Sequence, residues 1–522
     1  MPASPGRLFG QLHPSRRSAA ATVCSVLGAG SLLAAALGAA ALGTAPALAA
    51  GPPLQAVVTY DGAAVSVPGV RVVTGLPSVH AAVVRADGAA LVRLAHTRGV
   101  RGVAPDDAVQ LTGHNDDGAV EPVGAAEGLR GRAGDRDAGR GVRVAVVDTG
   151  VSDSGALDRD SGRLVDVADT SAVAEGGPVR TAGRFPDGHG HGTFMASLIA
   201  GGPVAGSRDK PVGVAPGATV LVVRVADPDG STSLSQVVAG LDWVAGHHGQ
   251  VDVANLSFSH RRPGEAYGAD PLTDAVERVR DAGVTVVASA GNVRDELGDP
   301  GFDPRVLTVG AADLSGRGRT EVADFSGSGR AAGVPKPDLV ANGVHVLGVL
   351  PPDSVVARSN PDAHVDGALW RGSGTSQATA ITSGAAALLL AAHPDATPAQ
   401  VKASLREAAR PLHGDRDGAG LLKVTTHLRS APDGTALNGS GEDLTGEGGF
   451  DASSWSASSW SASSWSASSW SASSWSASSW SASSWSASSW SEPARGASSW
   501  SASSWSGPAR GASSWSRAGD GR

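Results

Sequence analysis

Five short and almost wholly apolar runs recur through the middle of this 522-residue chain, and they constrain its fold more than any other feature. They cover residues 142–147, 219–225, 251–256, 284–288 and 306–309. A strand that is covered on both faces has such a continuous pattern, whereas a half-exposed strand alternates apolar and polar residues. The runs therefore predict buried parallel strands.

Segments with helical spacing lie between some of these runs, notably residues 234–247 and 272–282. The alternation predicts an α/β fold with a doubly wound, mainly parallel sheet. Ligands of such sheets bind beyond the carboxyl ends of the strands. Asp148 and Asn292 follow the ends of two predicted strands, so we expect a functional site there.

An acid, a base and a nucleophile stand in three short blocks. The blocks are Val147-Asp148-Thr149-Gly150, His191-Gly192-Thr193 and Gly374-Thr375-Ser376. A serine hydroxyl is a weak nucleophile until a histidine takes its proton, and a carboxylate can hold that histidine in the right tautomer. Small residues flank each group and let the backbone turn sharply. We predict Asp148, His191 and Ser376 as catalytic residues.

Each of these residues has a structural alternative. Ser376 begins an Ala-rich helical segment that reaches residue 393, and serine commonly caps a helix; Asp148 could simply cap a turn. His189 and Asp187 are the competing base and acid. Gly192-Thr193 follows only His191, and Asp187 lies in a loop with no strand to fix it. The three blocks together favour catalysis.

The order of acid, base and nucleophile along the chain resembles that of the subtilisin-like serine peptidases, or subtilases. Two other folds of serine hydrolases carry these groups in different orders along the chain. The resemblance covers residues 140–425. Four further segments carry it: Gly213-Val214-Ala215-Pro216-Gly217-Ala218, Val287-Ala288-Ser289-Ala290-Gly291-Asn292, Val306-Leu307-Thr308-Val309-Gly310-Ala311 and Lys336-Pro337-Asp338-Leu339-Val340. It implies a serine endopeptidase that acts on proteins or peptides, with Asn292 as a donor to the oxyanion.

The resemblance also implies which residues line the substrate site. Ser257, Phe258 and Ser259 align with the segment that pairs with an extended substrate, and Ser289, Ala290 and Gly291 align with the opposite wall of the primary pocket. Ser259 stands where the family usually has glycine. Its Cβ narrows the rim of the pocket, so we expect very bulky side chains to be disfavoured before the cleaved bond.

The first 49 residues read as a signal peptide. Arginines at positions 7, 16 and 17 precede an apolar run over residues 18–42, and Ala47-Leu48-Ala49 suits signal peptidase. This predicts secretion, with possible cell-surface association through the tail described below. The alternative is an uncleaved membrane anchor, because the run is long enough to span a bilayer. Cys24 is the one cysteine, so the mature protein would have no disulfide.

Residues 51–115 resemble a subtilase propeptide, a small α+β domain that would be a partner of the peptidase domain predicted at 116–430. We expect strands at 57–60, 76–84 and 99–105 and a helix at 88–96. The alternative is an ordinary α+β domain without an inhibitory role.

A linker at 431–450 leads to a tail at 451–522 that repeats Ser-Ala-Ser-Ser-Trp with a period of five. With almost no branched aliphatic residues the tail cannot bury a core, which predicts disorder. It is a soluble spacer, a surface whose indoles stack on cell-wall polymer, or a self-associating segment. The rival to an enzyme is therefore a catalytically weak or inactive cell-surface protein that binds through this tail.

Partners and cofactors are less constrained. A net charge of −8 gives no basic patch and argues against nucleic acid. The residues identify no metal site and no cofactor, and structural calcium is implied by the family resemblance alone. Asp415-Arg416-Asp417-Gly418 is too short for a calcium loop and reads as a solvated turn.

Overall fold

The computed structural model describes residues 53–113, 123–125, 135–260, 270–315, 320–331 and 333–428. The predicted signal peptide, linker and Trp-rich tail lie outside the described residues and stay predictions. Among the helices in the described ranges, none combines the length and the apolar character needed to cross a membrane.

The N-terminal module is a four-stranded antiparallel sheet with one helix. Its strands are β1 (Leu54–Tyr60), β2 (Arg71–Leu76), β3 (Ala81–Ala86) and β4 (Val100–Pro105), in the order β2-β3-β1-β4. Helix α1 (Gly88–Ala95) begins after Asp87, whose side chain accepts the N–H of Ala90 at 2.7 Å. Alternate strand residues face opposite sides: Val58 packs towards α1, and Val57 faces the helices of the larger domain.

One expectation for this module was wrong. Residues 76–84 do not form a single strand, because a 3-10 turn over Pro77–Val79 separates β2 from β3. Proline fixes its φ angle and lacks an N–H, and His80 adopts a left-handed φ of 51° that reverses the chain. Strands β2 and β3, which precede and follow this turn, therefore pair antiparallel with each other.

A large, mainly parallel sheet forms the centre of the larger domain. In spatial order its strands are β15 (Glu321–Val322), β14 (Leu307–Asp313), β13 (Thr285–Ser289), β11 (Val253–Leu256), β7 (Arg143–Asp148), β9 (Thr219–Arg224) and β8 (Leu164–Asp169), and β18 (Leu339–Asn342) also pairs with β14. The β14–β15 pair is antiparallel and the others are parallel. Each predicted apolar run thus became a strand of this sheet.

Helices cover both faces of the sheet, which explains why most of its strand positions are apolar. On one face lie α2 (His191–Ala200) and α6 (Thr375–Ala392), and on the other lie α3 (Leu234–Gly246) and α4 (Pro271–Asp281). In β7, Val144 and Val146 belong to the first apolar core, whereas Ala145 and Val147 belong to the second. Shorter helices are α5 (Val355–Ser359) and α7 (Pro398–Ala408).

Three small sheets complete the fold. One joins β10 (Thr232–Ser233), β5 (Ala108–Leu111) and β12 (Phe258–Ser259) in that order. A second pairs β16 (Gly329–Ala331) with β17 (Val334–Lys336). The third orders β20 (His364–Asp366), β21 (Leu369–Gly372), β19 (Val346–Val349) and β6 (Val123–Gly124). The first of these sheets lies beside the predicted site.

Candidate active site

The predicted acid and base meet at the carboxyl end of the central sheet. Asp148 is the last residue of β7, and His191 is the first residue of α2. The Nδ1 atom of His191 lies 2.8 Å from Oδ1 and 3.0 Å from Oδ2 of Asp148. Oδ1 also accepts the N–H of Thr149 at 2.8 Å. The carboxylate is therefore held on the imidazole from a rigid strand end.

Glycine at position 192 permits this approach of helix to strand. A Cβ atom there would lie 2.2 Å from the carbonyl oxygen of Gly150 and 3.2 Å from the Cβ of Asp148. Any side chain would push α2 away and separate Asp148 from His191. The small residues seen in the sequence blocks thus have a packing reason.

The predicted nucleophile completes the chain of contacts. Ser376 is the second residue of α6, and its Oγ lies 3.0 Å from Nε2 of His191. Both side chains are buried. Because Nδ1–H is directed at Asp148, Nε2 is the free acceptor of the ring. Burial lowers the pKa of His191, but the charge of Asp148, its hydrogen bond to the ring and the charge of Asp187 together outweigh burial and leave that pKa above its usual value of 6.5.

The competing acid and base have other surroundings. His189 lies in the loop before α2, with its ring centroid 6.4 Å from that of His191. Asp187 is buried, and its carboxylate accepts hydrogen bonds from the Thr149 hydroxyl, the Gly190 N–H, and the Thr193 N–H and hydroxyl, at 2.7–2.8 Å. Asp187 thus lies in a loop without a strand, as expected, but four hydrogen bonds hold it firmly, and it ties the end of β7 to the start of α2.

Asn292 lies beside the nucleophile, as the resemblance implied. Its Oδ1 accepts the N–H of Thr375 at 2.9 Å and the Thr375 hydroxyl at 2.8 Å. These two bonds turn the amide nitrogen outwards, where Nδ2 donates to the carbonyl oxygen of Thr112. Asn292 thus directs a donor at a carbonyl that lies next to Ser376.

The segment predicted to pair with substrate pairs with the chain's own strand β5. Phe258 is opposite Leu111 and Ser259 is opposite Gln110, and the N–H of Thr112 donates to the carbonyl of Ser257 at 3.2 Å. On its other side β5 pairs with β10. An extended peptide therefore occupies the groove between β10 and β12 and reaches Ser376 at Thr112.

The other predicted wall contributes a buried hydroxyl. Ser289 Oγ donates to the carbonyl of Phe258 at 2.9 Å, which links the two walls. Ala290 is held by its own N–H bond to the carbonyl of Val309 at 3.0 Å. Gly291 has a φ angle of 97°, a conformation that favours glycine.

Sequence reasoning missed three residues of the site. Thr112 supplies the carbonyl at Asn292, Thr375 orients the Asn292 amide, and Gly374 leaves space for that carbonyl, since a Cβ there would lie 2.5 Å from the oxygen of Thr112. Gly374 and Thr375 stood in the quoted serine block, which was the available signal. Nothing near Thr112 in the sequence marks it.

Structural calcium stays an expectation from the family resemblance, because the side chains that lie together in the described residues do not by themselves form a calcium site. The one group of potential ligands among them is His260, Asp270 and Asp299. Calcium takes six to eight oxygen ligands, whereas this group brings two carboxylates and a histidine nitrogen. In the turn that follows residue 414, Asp417 accepts the N–H groups of Leu412 and Gly414, as a turn-capping carboxylate does.

Comparison with known proteins relates this chain to the subtilases, in agreement with the resemblance found in the sequence. A family model described as "Subtilase family" matches residues 139–442. Serine protease AprX from Bacillus subtilis (strain 168) is 33% identical over 309 residues, which are 56% of this chain and 65% of that protein. Subtilisin Savinase from Lederbergia lenta is 33% identical over 293 residues, 56% of this chain and 92% of that protein. The chain thus spans slightly less than two thirds of AprX.

A solved structure supports the fold. Fervidolysin from Fervidobacterium pennivorans, described as a keratinolytic enzyme related to subtilisin, aligns with a TM-score of 0.52 and 24% sequence identity. The alignment covers 75% of this chain and 61% of that one. The predicted doubly wound α/β fold is confirmed.

Proposed function

The chain belongs to the subtilase family, and we propose from this premise that it is a secreted serine endopeptidase acting through Asp148, His191 and Ser376. The observation that carries the proposal is the unbroken contact from Asp148 Oδ1 through both nitrogens of His191 to Ser376 Oγ. That contact ends beside the carbonyl of an extended strand. Secretion rests on the leader pattern of residues 1–49.

The reaction would proceed through an acyl-enzyme. His191 takes the proton of Ser376 as Oγ bonds to the substrate carbonyl carbon, and the carbonyl oxygen becomes an oxyanion that accepts from Asn292 Nδ2. The peptide C–N bond then breaks as His191 gives its proton to the leaving amine. Water adds to the acyl-enzyme with His191 again as base, and the ester bond to Ser376 breaks. Asp148 stabilises the imidazolium in both halves.

We propose that residues 51–115 act as a propeptide. Its module contacts α3 and α4 through an apolar interface that also contains polar contacts, some of them buried. The Ser78 N–H donates to Asp242 at 2.6 Å, the Thr59 hydroxyl donates to Asp274 at 2.7 Å, and Arg101 pairs with Asp274 at 2.8 Å. Such an interface would hold strand β5 in the groove and exclude other peptides.

The bond that this strand presents lies between Thr112 and Gly113. The Thr112 oxygen accepts from Asn292, and a Cβ on Gly113 would be 3.6 Å from the Cδ2 atom of His191. The amine that leaves on cleavage would therefore emerge next to the imidazole. We infer that the chain cleaves itself here.

A fluorophosphonate probe tests the activity, because only an activated serine reacts with it. We expect labelling of the secreted protein, loss of labelling in Ser376→Ala, and retention in the matched control Ser383→Ala, whose hydroxyl donates to Asn255 in the same helix. N-terminal sequencing should begin at Gly113. An unlabelled, folded protein would favour the rival, a non-catalytic surface protein.

Binding to cell-wall polymer through the tail is a separate proposal about residues outside the described ranges. Regularly spaced indoles could stack on sugar rings, with avidity from repetition. Co-sedimentation of the full chain with cell-wall material, compared with a chain ending at residue 430, tests it. Equal sedimentation of the two would contradict a role for the tail.

A further inference from the structure

The Thr112 side chain is recognised as well as its backbone. Its hydroxyl lies 2.7 Å from Ser376 Oγ and 3.0 Å from Ser289 Oγ. Ser289 and Ser376 are fully buried, with 0% relative exposure, and Thr112 is 4% exposed. Burial of a hydroxyl without a hydrogen-bond partner costs free energy. A pocket whose wall carries a buried hydroxyl, here that of Ser289, therefore favours a substrate side chain that can form a hydrogen bond with it.

We propose that this pocket selects threonine in the residue before the cleaved bond, with Ser289 as the residue that recognises its hydroxyl. The inference rests on the proposed endopeptidase function and names its preferred substrate. It goes beyond the expected exclusion of bulky groups, because valine has the same shape as threonine and lacks only the hydroxyl.

The directions of the hydrogen bonds among these hydroxyls show how Ser289 recognises threonine. Each hydroxyl has one proton to donate. Thr112 donates its proton to Ser289 Oγ at 3.0 Å. Ser289 donates its own proton to the Phe258 carbonyl at 2.9 Å, so its oxygen is left as an acceptor. Ser289 thus accepts the hydroxyl proton that threonine supplies and valine lacks.

Valine does not fit this arrangement. Its methyl group would replace an oxygen that lies 2.7 Å from Ser376 Oγ, whereas carbon needs a separation of about 3.5 Å from its non-bonded neighbours. The methyl group would also leave the Ser289 hydroxyl with one partner fewer. Valine must therefore shift away from the nucleophile.

Ser259 limits the depth of the same pocket. A Cβ on Gly298 would lie 1.7 Å from Ser259 Oγ, and one on Gly291 would lie 3.6 Å from it. The Ser259 side chain thus fills the space above Gly298 and next to the opposite wall. A short side chain such as that of threonine can be accommodated beside Ser259, whereas a long side chain would clash with it.

The test compares peptides that differ only in the residue before the cleaved bond, using the secreted enzyme after self-processing. We expect kcat/KM for threonine to exceed that for valine by about 10-fold, as expected for one buried hydrogen bond. In Ser289→Ala the threonine-to-valine ratio should fall to about twofold or less. Fluorophosphonate labelling of that variant shows that it is folded.

Two further variants make the test independent of Ser289→Ala. In the full-length precursor, Thr112→Val should slow self-cleavage by about 10-fold, while Thr112→Ser should remain close to the original rate. Ser259→Gly should raise kcat/KM for phenylalanine before the bond by about 10-fold or more, because one small group in a pocket changes discrimination by that order.

Equal cleavage after threonine and valine by a protein that the probe labels would overturn the inference and leave the proposed function standing. An unchanged ratio in labelled Ser289→Ala would also overturn it. If the probe does not label Ser376 and no peptide is cleaved, the proposed function itself fails, and the inference fails with it.

Discussion

At the scale of single residues, two carboxylates position His191 from different sides. Asp148 bonds the ring, and Asp187 bonds the backbone and side chains on either side of the gap between β7 and α2. Burial raises the pKa of Asp187, although four hydrogen bonds oppose that rise. Asp187 is therefore a positioning residue, and its absence should change the geometry of catalysis more than the binding of substrate.

Replacing Asp187 tests this role. Asp187→Ala removes the acceptor of four buried donors, each of which costs about 1–3 kcal/mol when left unpaired. We expect a lower kcat with a nearly unchanged KM and a loss of stability of about 3 kcal/mol or more. Asp187→Asn keeps one oxygen acceptor. Its kcat in steady-state kinetics and its stability in urea unfolding should lie between those of the wild type and those of Asp187→Ala. An unchanged kcat in folded Asp187→Ala would contradict the assignment.

The protonation of His191 predicts how activity depends on pH. Protonated His191 cannot take the proton of Ser376, so activity falls as pH decreases through the pKa of the free enzyme. Since Asp148 raises that pKa, the acid limb of kcat/KM should lie above pH 6.5. Profiles between pH 5 and 9 measure it. A limb centred at or below pH 6 would contradict the raised pKa.

At the scale of elements, β5 is held by backbone pairing on both edges and by one buried side chain. Val109 is 4% exposed and belongs to the apolar core that includes α3, whereas Gln110 points to solvent. Backbone pairing tolerates many sequences, so side-chain pockets must supply the specificity of such an added strand. Val109 is the residue of β5 with the greatest burial.

Substitutions at Val109 and Gln110 separate the contribution of the buried side chain from that of backbone pairing. Val109→Asp places a charge in an apolar core, and it should weaken retention of β5 enough to speed fluorophosphonate labelling of the precursor by about 10-fold or more. Gln110→Asp adds the same charge on the exposed side and should leave labelling unchanged. Equal labelling of the two variants would show that Val109 does not anchor the strand.

At the scale of the whole molecule, a buried ionic cluster joins segments that are distant in sequence. Asp338, before β18, accepts Lys336 Nζ at 2.8 Å and lies 3.0 Å from Nζ of Lys402 on α7. Lys402 also donates to the carbonyls of Pro304 and Val306. Burial lowers the pKa of Lys402 well below its usual value. The cluster fixes α7 to the sheet edge.

Removing the Asp338 carboxylate should cost more than removing one lysine. Although burial raises the pKa of Asp338, the adjacent cations outweigh it and lower that pKa. Asp338→Asn leaves buried cations uncompensated and should reduce the free energy of unfolding by about 3–5 kcal/mol. Lys402→Met also relieves repulsion and should cost less. Urea unfolding in a Ser376→Ala background, which prevents self-digestion, compares the two.

The same carboxylate predicts a pH dependence of stability. A folded-state pKa below the unfolded value means that the contribution is present above about pH 4 and is lost as pH falls through the folded value. The unfolding free energy of the wild type should therefore decrease more steeply below pH 4 than that of Asp338→Asn. Parallel curves for the two proteins would contradict the assigned role.

The sequence by itself determined five strands of the parallel sheet, because strands covered on both faces are largely apolar; it did not mark β8, which carries Asp166 and Asp169. It also located Asp148, His191 and Ser376 through the small residues that their close packing requires. Only the tertiary structure decided that Thr112 reaches the site, that Asp187 is fixed, and that Asp338 gathers two lysines. The contacts of Thr112 with Ser376, of Asp187 with Thr149 and of Asp338 with Lys402 join segments far apart in the chain, where neither periodicity nor local backbone geometry records the partner.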